Sequence, residues 1–143
     1  MAREPDEAIP ADEPLYRSIS IDDVNGDDVL PQAVDLPRCS FNRSAYSEPD
    51  AVFTESRPGD NGIAELLAGS LPPPVPRETG VPYEFIVVDD PNPPENPAND
   101  AHCEVCMKRQ GEPFNKKHQP NKGVLAKAKD ALARRLRVHT HPR

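Results

Sequence analysis

The chain is poor in the residues that build a large hydrophobic core. Trp is absent, only seven of the 143 residues are Phe or Tyr, and the hydrophobic fraction is 36%. Globular chains usually reach about 45–50% on a similar count. No segment approaches the ~20 consecutive apolar residues of a transmembrane helix. We therefore expect a small core and no association with a membrane.

Cysteine is also scarce, and its count of three is odd. The chain begins with Met-Ala-Arg-Glu-Pro-Asp at 1–6, and no apolar run of the kind found in a secretion signal follows. Disulfide frameworks need paired cysteines and an oxidising compartment. These features predict a cytoplasmic protein with free thiols.

Proline, in contrast, is abundant, with 19 residues. Proline lacks a backbone donor and has a fixed φ, so it interrupts helices and central strands. We expect short elements joined by long proline-rich connections.

Charge is divided along the chain. Residues 1–107 carry 6 Lys or Arg against 22 Asp or Glu, a net charge of −16, whereas residues 108–143 carry 11 against 2, a net charge of +9. An acidic body followed by a basic segment favours a charged partner. A protein partner is expected, and nucleic acid is an alternative partner for residues 108–143.

Four segments have the apolar–polar alternation or the β-branched and aromatic content of strands. They span residues 14–21, 62–68, 83–88 and 101–108. The second of them also fits a short helix, and its length favours a strand. Together they predict a small, mainly antiparallel sheet.

Two helices are predicted. The first covers 48–56, with Ser47 as N-cap and Pro49 in the first turn, where a missing donor costs little. The second covers 123–138, and its apolar stripe faces inward. This stripe consists of Leu125, Ala128, Leu132 and Leu136. The overall prediction is an α+β fold in which both helices pack on the sheet.

The domain organisation follows from these elements. Residues 1–13 are acidic and aperiodic and predict a disordered lead. Residues 14–138 predict a single α+β domain, and residues 139–143 predict a tail.

The C-terminal helix carries the predicted partner-binding residues. Lys127, Arg134 and Arg137 form a solvent-facing row beside the apolar stripe. We expect the helix to fold back on its own acidic body and to leave these cations at the rim.

A metal site is the obvious hypothesis for Cys103, Cys106 and His118. Zinc needs four convergent ligands, and no second pair stands at a suitable spacing. Residues three apart on a strand also point to opposite faces. We therefore predict buried thiols, with no metal and no cofactor.

Arg17 belongs to the otherwise apolar face of the first strand. A charge in that position needs an anionic partner. Glu104, which also lies on a predicted strand, is the expected partner.

Several segments resemble a family of small bacterial proteins to which no activity is assigned. The matching segments are LYRSI (15–19), SFNRSAYSEP (40–49), GIAE (62–65) and ENPANDAHCEV (95–105). The resemblance covers about residues 15–138 and implies a C-terminal helix rich in Lys and Ala.

A fainter resemblance is to the ADP-ribosyltransferase-like fold, which begins with an aromatic–Arg strand and ends with a strand that carries Glu. This resemblance implies that Arg17 holds a pyrophosphate, Tyr46 stacks on nicotinamide and Glu104 binds a ribose hydroxyl. The Gly-rich and Ser-Thr-Ser elements of that superfamily are missing from this chain.

The residue pattern shows no nucleophile with a nearby base and no phosphate-binding loop. We therefore expect a non-enzymatic accessory protein of a bacterial cytoplasmic system that acts through a protein partner. An ADP-ribosyltransferase-like or other nucleotide-handling enzyme, and a nucleic-acid-binding subunit, are the alternatives.

Overall fold

The computed structural model describes residues 3–6, 8–54, 59–91 and 99–143. Within them the chain forms eight strands. These are β1 (Pro14–Ile19), β2 (Val24–Asn25), β3 (Asp28–Val29), β4 (Arg38–Arg43), β5 (Gly62–Leu67), β6 (Tyr83–Asp89), β7 (His102–Arg109) and β8 (Arg137–Thr140).

Six of these strands form one antiparallel sheet in the order β6-β7-β4-β1-β5-β8. The short strands β2 and β3 form a separate hairpin. Its turn contains Gly26, whose φ of 64° lies in the region that glycine enters without steric cost.

One α-helix, α1 (Lys122–Ala133), precedes β8. Three short 3₁₀ helices cover Ile21–Asp23, Pro31–Ala33 and Pro49–Thr54. The predicted α+β class, with a mainly antiparallel sheet and a helix near the C-terminus, is confirmed.

The four predicted strands are present as β1, β5, β6 and β7, with ends that shift by at most two residues. The helix predicted over 48–56 is a 3₁₀ helix at Pro49–Thr54, and positions 55 and 56 lie outside the described residues. Strands β4 and β8 and the hairpin strands β2 and β3 were not predicted.

The C-terminal helix is shorter than predicted. It ends at Ala133, and the prediction is wrong over 134–138. Leu136 is buried in the connection that follows, and Val138 pairs with Ala64 of β5. Strand pairing with β5 thus overrides the helical propensity of this segment.

One face of the sheet carries the main hydrophobic core. Every second residue of each strand points its side chain into this core, as the two-residue period of a strand requires. The buried side chains include Leu15, Ile19, Phe41, Leu66, Phe85, Cys103, Val105 and Met107.

Helix α1 closes this core. Val124, Ala128 and Leu132 are buried in the same cluster, and Leu125 packs partly against it. Asn121 caps the helix, since its Oδ1 accepts a hydrogen bond from the Val124 N–H at 2.9 Å. Three of the four predicted stripe residues, Leu125, Ala128 and Leu132, therefore face inward on α1.

The other face of the sheet is mostly polar. A small second cluster of Tyr16, Val52 and Ile63 covers part of it. Val52 comes from the 3₁₀ helix Pro49–Thr54, so this helix forms one wall above the polar face.

Candidate functional site: a polar cleft on the sheet

Polar side chains form a row across four strands of the second face. Glu65 of β5 lies opposite Tyr16 of β1, Tyr16 lies opposite Asn42 of β4, and Asn42 lies opposite His102 of β7. All four are at most 9% exposed. A buried polar row of this kind needs internal partners.

The sheet opens beside this row. The β1–β4 ladder has only two registered pairs, Leu15 with Arg43 and Tyr16 with Asn42. Beyond them, Arg17 Nη1 donates to the carbonyl oxygen of Ser40 at 3.0 Å. A side chain thus takes the place of the next strand–strand contact.

A cleft of about 120 Å³ lies at this opening. It is lined by Tyr16, Arg17, Ser18, Ser40, Phe41, Asn42, Val52 and His102. Its floor is the sheet, and Val52 supplies an apolar wall.

Ser40 and His102 meet in the cleft. The Ser40 Oγ lies 3.3 Å from His102 Nε2, and His102 Nδ1 lies 2.7 Å from the backbone oxygen of Asp90. A carbonyl oxygen only accepts, so Nδ1 carries the proton in this arrangement. In the neutral ring Nε2 is then the acceptor, and it faces the Ser40 hydroxyl.

Two further groups complete the surroundings of His102. The Asp90 carboxylate is 3.6 Å from Nδ1. Asn42 Oδ1 accepts from Asn99 Nδ2 at 2.8 Å, and the described residues offer no acceptor to Asn42 Nδ2. That amide group is therefore a spare donor at the cleft.

The expected pairing of Arg17 with Glu104 is wrong. Arg17 donates to the Ala33 carbonyl at 2.8 Å and pairs with Asp35 at 3.0 Å. Glu104 instead accepts from Arg38 at 2.6 Å. The reason is strand alternation, since Arg17 extends to the core side and Glu104 lies on the polar face.

Tyr46 contacts neither Arg17 nor Glu104 and lies instead beside Arg3, Asp6 and Arg43. The Arg3 guanidinium stacks on its ring at 3.8 Å and that of Arg43 at 4.9 Å. Its hydroxyl lies 3.3 Å from Asp6. Arg17, Tyr46 and Glu104 therefore have separate partners, and the described contacts do not join them in one nucleotide site.

The network around Tyr46 is a buried ionic cluster, made of Arg3, Asp6, Glu13, Arg43 and Asp89. Arg43 is 2% exposed. Its Nε and Nη2 each lie 2.8 Å from a Glu13 oxygen, and its Nη1 lies 2.7 Å from Asp6 and 3.2 Å from Asp89. Paired guanidinium and carboxylate groups of this kind offset each other's desolvation.

The electrostatics of the ionic cluster favour its charged state. Hydrogen bonding to Glu13, despite the opposing effect of burial, raises the pKa of Arg43. Burial alone would raise the pKa of Asp89, but hydrogen bonds from Arg3 and the Asp6 N–H outweigh it and lower that pKa.

The ionic cluster links described residues of the N-terminal segment to the sheet, and the disordered lead over 1–13 stays a prediction. Glu13 is 8% exposed and bound to Arg43, and Arg3 and Asp6 contact Asp89. The acidic segment is thus tied to the ends of β4 and β6 by charge pairs that its composition did not indicate.

The predicted thiol and histidine candidates do not form a metal site. Cys103 faces the core and Cys106 the opposite side, as strand alternation predicts. Burial raises the pKa of the Cys103 thiol, and it raises that of Cys106 to about 12. His118 instead stacks on Tyr83 and hydrogen-bonds its hydroxyl.

Metal-binding groups and membrane-spanning helices are both absent from the described ranges. No group of three or more His, Cys, Asp or Glu side chains within them could hold a metal ion. None of the helices in those ranges combines the length and apolarity needed to cross a membrane.

The predicted partner-binding cations lie at the surface. We define the cationic surface as Lys127, Arg134 and Arg135, all of which are exposed, whereas the predicted Arg137 is exposed beside Glu65 on the other face of the sheet. Arg134 pairs with Asp130 at 3.1 Å, and Arg137 with Glu65 at 2.6 Å. Lys127 and Arg135 have no ion-pair partner among the described residues.

The sequence analysis did not identify Ser40 as part of a site. Ser40 is two residues before Asn42 on an unpredicted strand, and it meets His102 diagonally across the β4–β7 pair. The alternation of Cys39 and Phe41 with polar residues was the available signal.

Comparisons with protein-family models, curated proteins and solved structures find no match to this chain. The two resemblances drawn from the residue patterns therefore stay predictions. Function must be argued from the cleft, the ionic cluster and the cationic surface.

Proposed function

We propose that this protein is an accessory protein that acts by binding a protein partner through its cationic surface. The observation that carries the proposal is the orientation of α1. The helix buries its apolar side chains in the core, so that Lys127 on its outer side and Arg135 in the turn after it lie in solvent without an intramolecular anion among the described residues.

Several arginines elsewhere in the molecule differ from Lys127 and Arg135, because they have anionic partners. Arg3, Arg38, Arg43 and Arg109 all have carboxylate partners at 4.0 Å or less. These four cations are thus paired within the fold, whereas Lys127 and Arg135 are available. Complementary charge across an interface guides association and selects partners, so an acidic protein surface is the expected partner.

The test is a capture experiment with the full chain as bait. Lysate of the source cells is treated with nuclease, and bound proteins are crosslinked and mapped by mass spectrometry. We expect crosslinks at Lys127 or Lys129 and an interaction that weakens with salt, since the Debye length is about 10 Å at 0.1 M ionic strength.

A charge-reversed variant, Lys127→Glu with Arg134→Glu, should lose the partner. The matched control is Lys116→Glu with Lys117→Glu, which makes the same charge change in the exposed loop before α1. Equal loss in both variants, or recovery of the bait alone, would contradict the proposal. Retention that disappears on nuclease treatment would indicate nucleic acid instead.

A further inference from the structure

We propose that the cleft between β1 and β4 is an acyl-transfer site in which Ser40 is the nucleophile and His102 the general base. This activity is separate from partner binding and uses the opposite side of the sheet from α1. It stands on the meeting of three groups that are distant in sequence: the Ser40 hydroxyl, the His102 ring and the Asp90 backbone.

The first argument is the tautomer. The Asp90 carbonyl, 2.7 Å from Nδ1, holds the ring with its proton on Nδ1 and its lone pair on Nε2. The Ser40 Oγ lies 3.3 Å from that lone pair. Nucleophile–base contacts of this length are common before a substrate tightens the site.

The second argument is access. Ser40 is exposed and lines the cleft, whereas His102 is 9% exposed and held by strand β7. A reagent can therefore reach the hydroxyl while the base stays fixed in orientation. A hydroxyl on a rigid strand beside an ordered imidazole is a favourable arrangement for attack.

The third argument concerns the charge that develops on the substrate oxygen. Asn42, which lines the cleft, has a spare Nδ2 donor, whereas the Arg17 guanidinium is already bonded to Ala33, Ser40 and Asp35. Donors aimed at a developing oxyanion stabilise the tetrahedral intermediate of acyl transfer.

The step balances with water as the only co-reactant. Ser40 Oγ forms a bond to the acyl carbon, its proton passes to His102 Nε2, and the carbon–oxygen bond to the leaving alcohol breaks. His102 then protonates that alcohol. Water, deprotonated by the same Nε2, attacks the acyl-serine, releases the carboxylic acid and restores the Ser40 hydroxyl.

The cleft defines the substrate class. Its volume of about 120 Å³ is below the ~300–1,000 Å³ of sites for drug-sized ligands. Val52 supplies its apolar wall. An ester with a short acyl group, of about two to four carbons, fits this cleft.

The test uses the full chain with two probes, a fluorophosphonate and p-nitrophenyl acetate. Each should give one adduct per chain on the peptide that contains Ser40, mapped by mass spectrometry. Ser40→Ala should abolish the adduct, and His102→Gln should slow its formation by about 100-fold or more, as loss of a general base does.

Ser70→Ala is the matched control, because Ser70 carries the same hydroxyl but lies outside the residues that line the cleft and should leave the labelling rate unchanged. The adduct map of the unmodified chain tests the proposal even where a variant fails to fold. Adducts spread over Lys and Tyr residues, or equal rates in the unmodified chain and His102→Gln, would overturn it.

Discussion

The two charged ends of the chain are attached to the same sheet by opposite means. Arg3, Asp6 and Glu13 at the acidic end reach the sheet through the buried ionic cluster around Arg43 and Asp89. The basic end is attached through the apolar side chains of α1 and the pairing of β8 with β5, and its exposed cations do not enter the core.

This difference explains where charge remains available. Asp6 and Glu13 of the acidic end, together with Asp89 of β6, form ion pairs with Arg3 and Arg43. At the basic end, hydrophobic burial attaches the helix without consuming its cations. The attachment of the N-terminal segment should therefore depend on pH, while that of α1 should not.

Removing the cation at the centre of the ionic cluster should have the largest effect. Arg43→Met leaves Glu13 buried without its guanidinium partner and removes one of the two cations beside Asp89, and breaking a buried charge pair costs about 3–5 kcal/mol. Urea denaturation would measure the loss. Arg135→Met, which removes an exposed cation, is the control and should change the free energy of unfolding little.

The pH dependence of the ionic cluster has a definite sign. The pKa of Asp89 in the folded protein lies below its usual 3.8. Its contribution is therefore present above pH 3.8 and is lost as the pH falls through the lower, folded-state pKa. Urea midpoints measured from pH 6 to pH 2 should fall more steeply for the unmodified chain than for Asp89→Asn, and parallel curves would contradict this.

Removing an apolar contact between α1 and the core should cause the next largest loss of stability. Leu132 is fully buried between α1 and the core, so Leu132→Ala should cost about 2–5 kcal/mol, the range for buried leucines. Lys127→Ala, on the exposed side of the same helix, is the matched control. A small loss in Leu132→Ala, with the amide protons of α1 exchanging as in the unmodified chain, would show that the helix is not held by its apolar stripe.

The two attachments also differ in how far the sequence could predict them. The stripe on α1 is periodic, so its inward face follows from the 3.6-residue turn alone. The ionic cluster joins residues up to 86 positions apart, such as Arg3 and Asp89. No local pattern marks such pairs, because they depend on which strand ends become neighbours.

The same reasoning applies to strands and to the cleft. β1, β6 and β7 have strong local strand signals, whereas β8 forms only because β5 offers it an edge. The contact of Ser40 with His102 depends on the register between β4 and β7. β4 begins directly after Pro37 and was not predicted as a strand. Without β4, the cleft could not be predicted either.

The N-cap of α1 should give a smaller effect. Asn121→Ala removes the side-chain acceptor of the Val124 N–H and should cost about 1 kcal/mol. Urea denaturation would detect this loss, and Asn121→Ser, which keeps an acceptor, should recover most of it. Equal stability of the two variants would show that the helix start is held by packing alone.

The smallest effect should come from the exposed pair on the surface of α1. Asp130 and Arg134 lie 3.1 Å apart with most of both side chains in solvent. Exposed pairs four residues apart contribute about 0.3–0.5 kcal/mol. Arg134→Ala should therefore leave stability nearly unchanged while it weakens capture of the proposed partner. A stability loss comparable to that of Leu132→Ala would mean that the charges of the basic end also hold the helix in place, and the contrast between the two ends would fail.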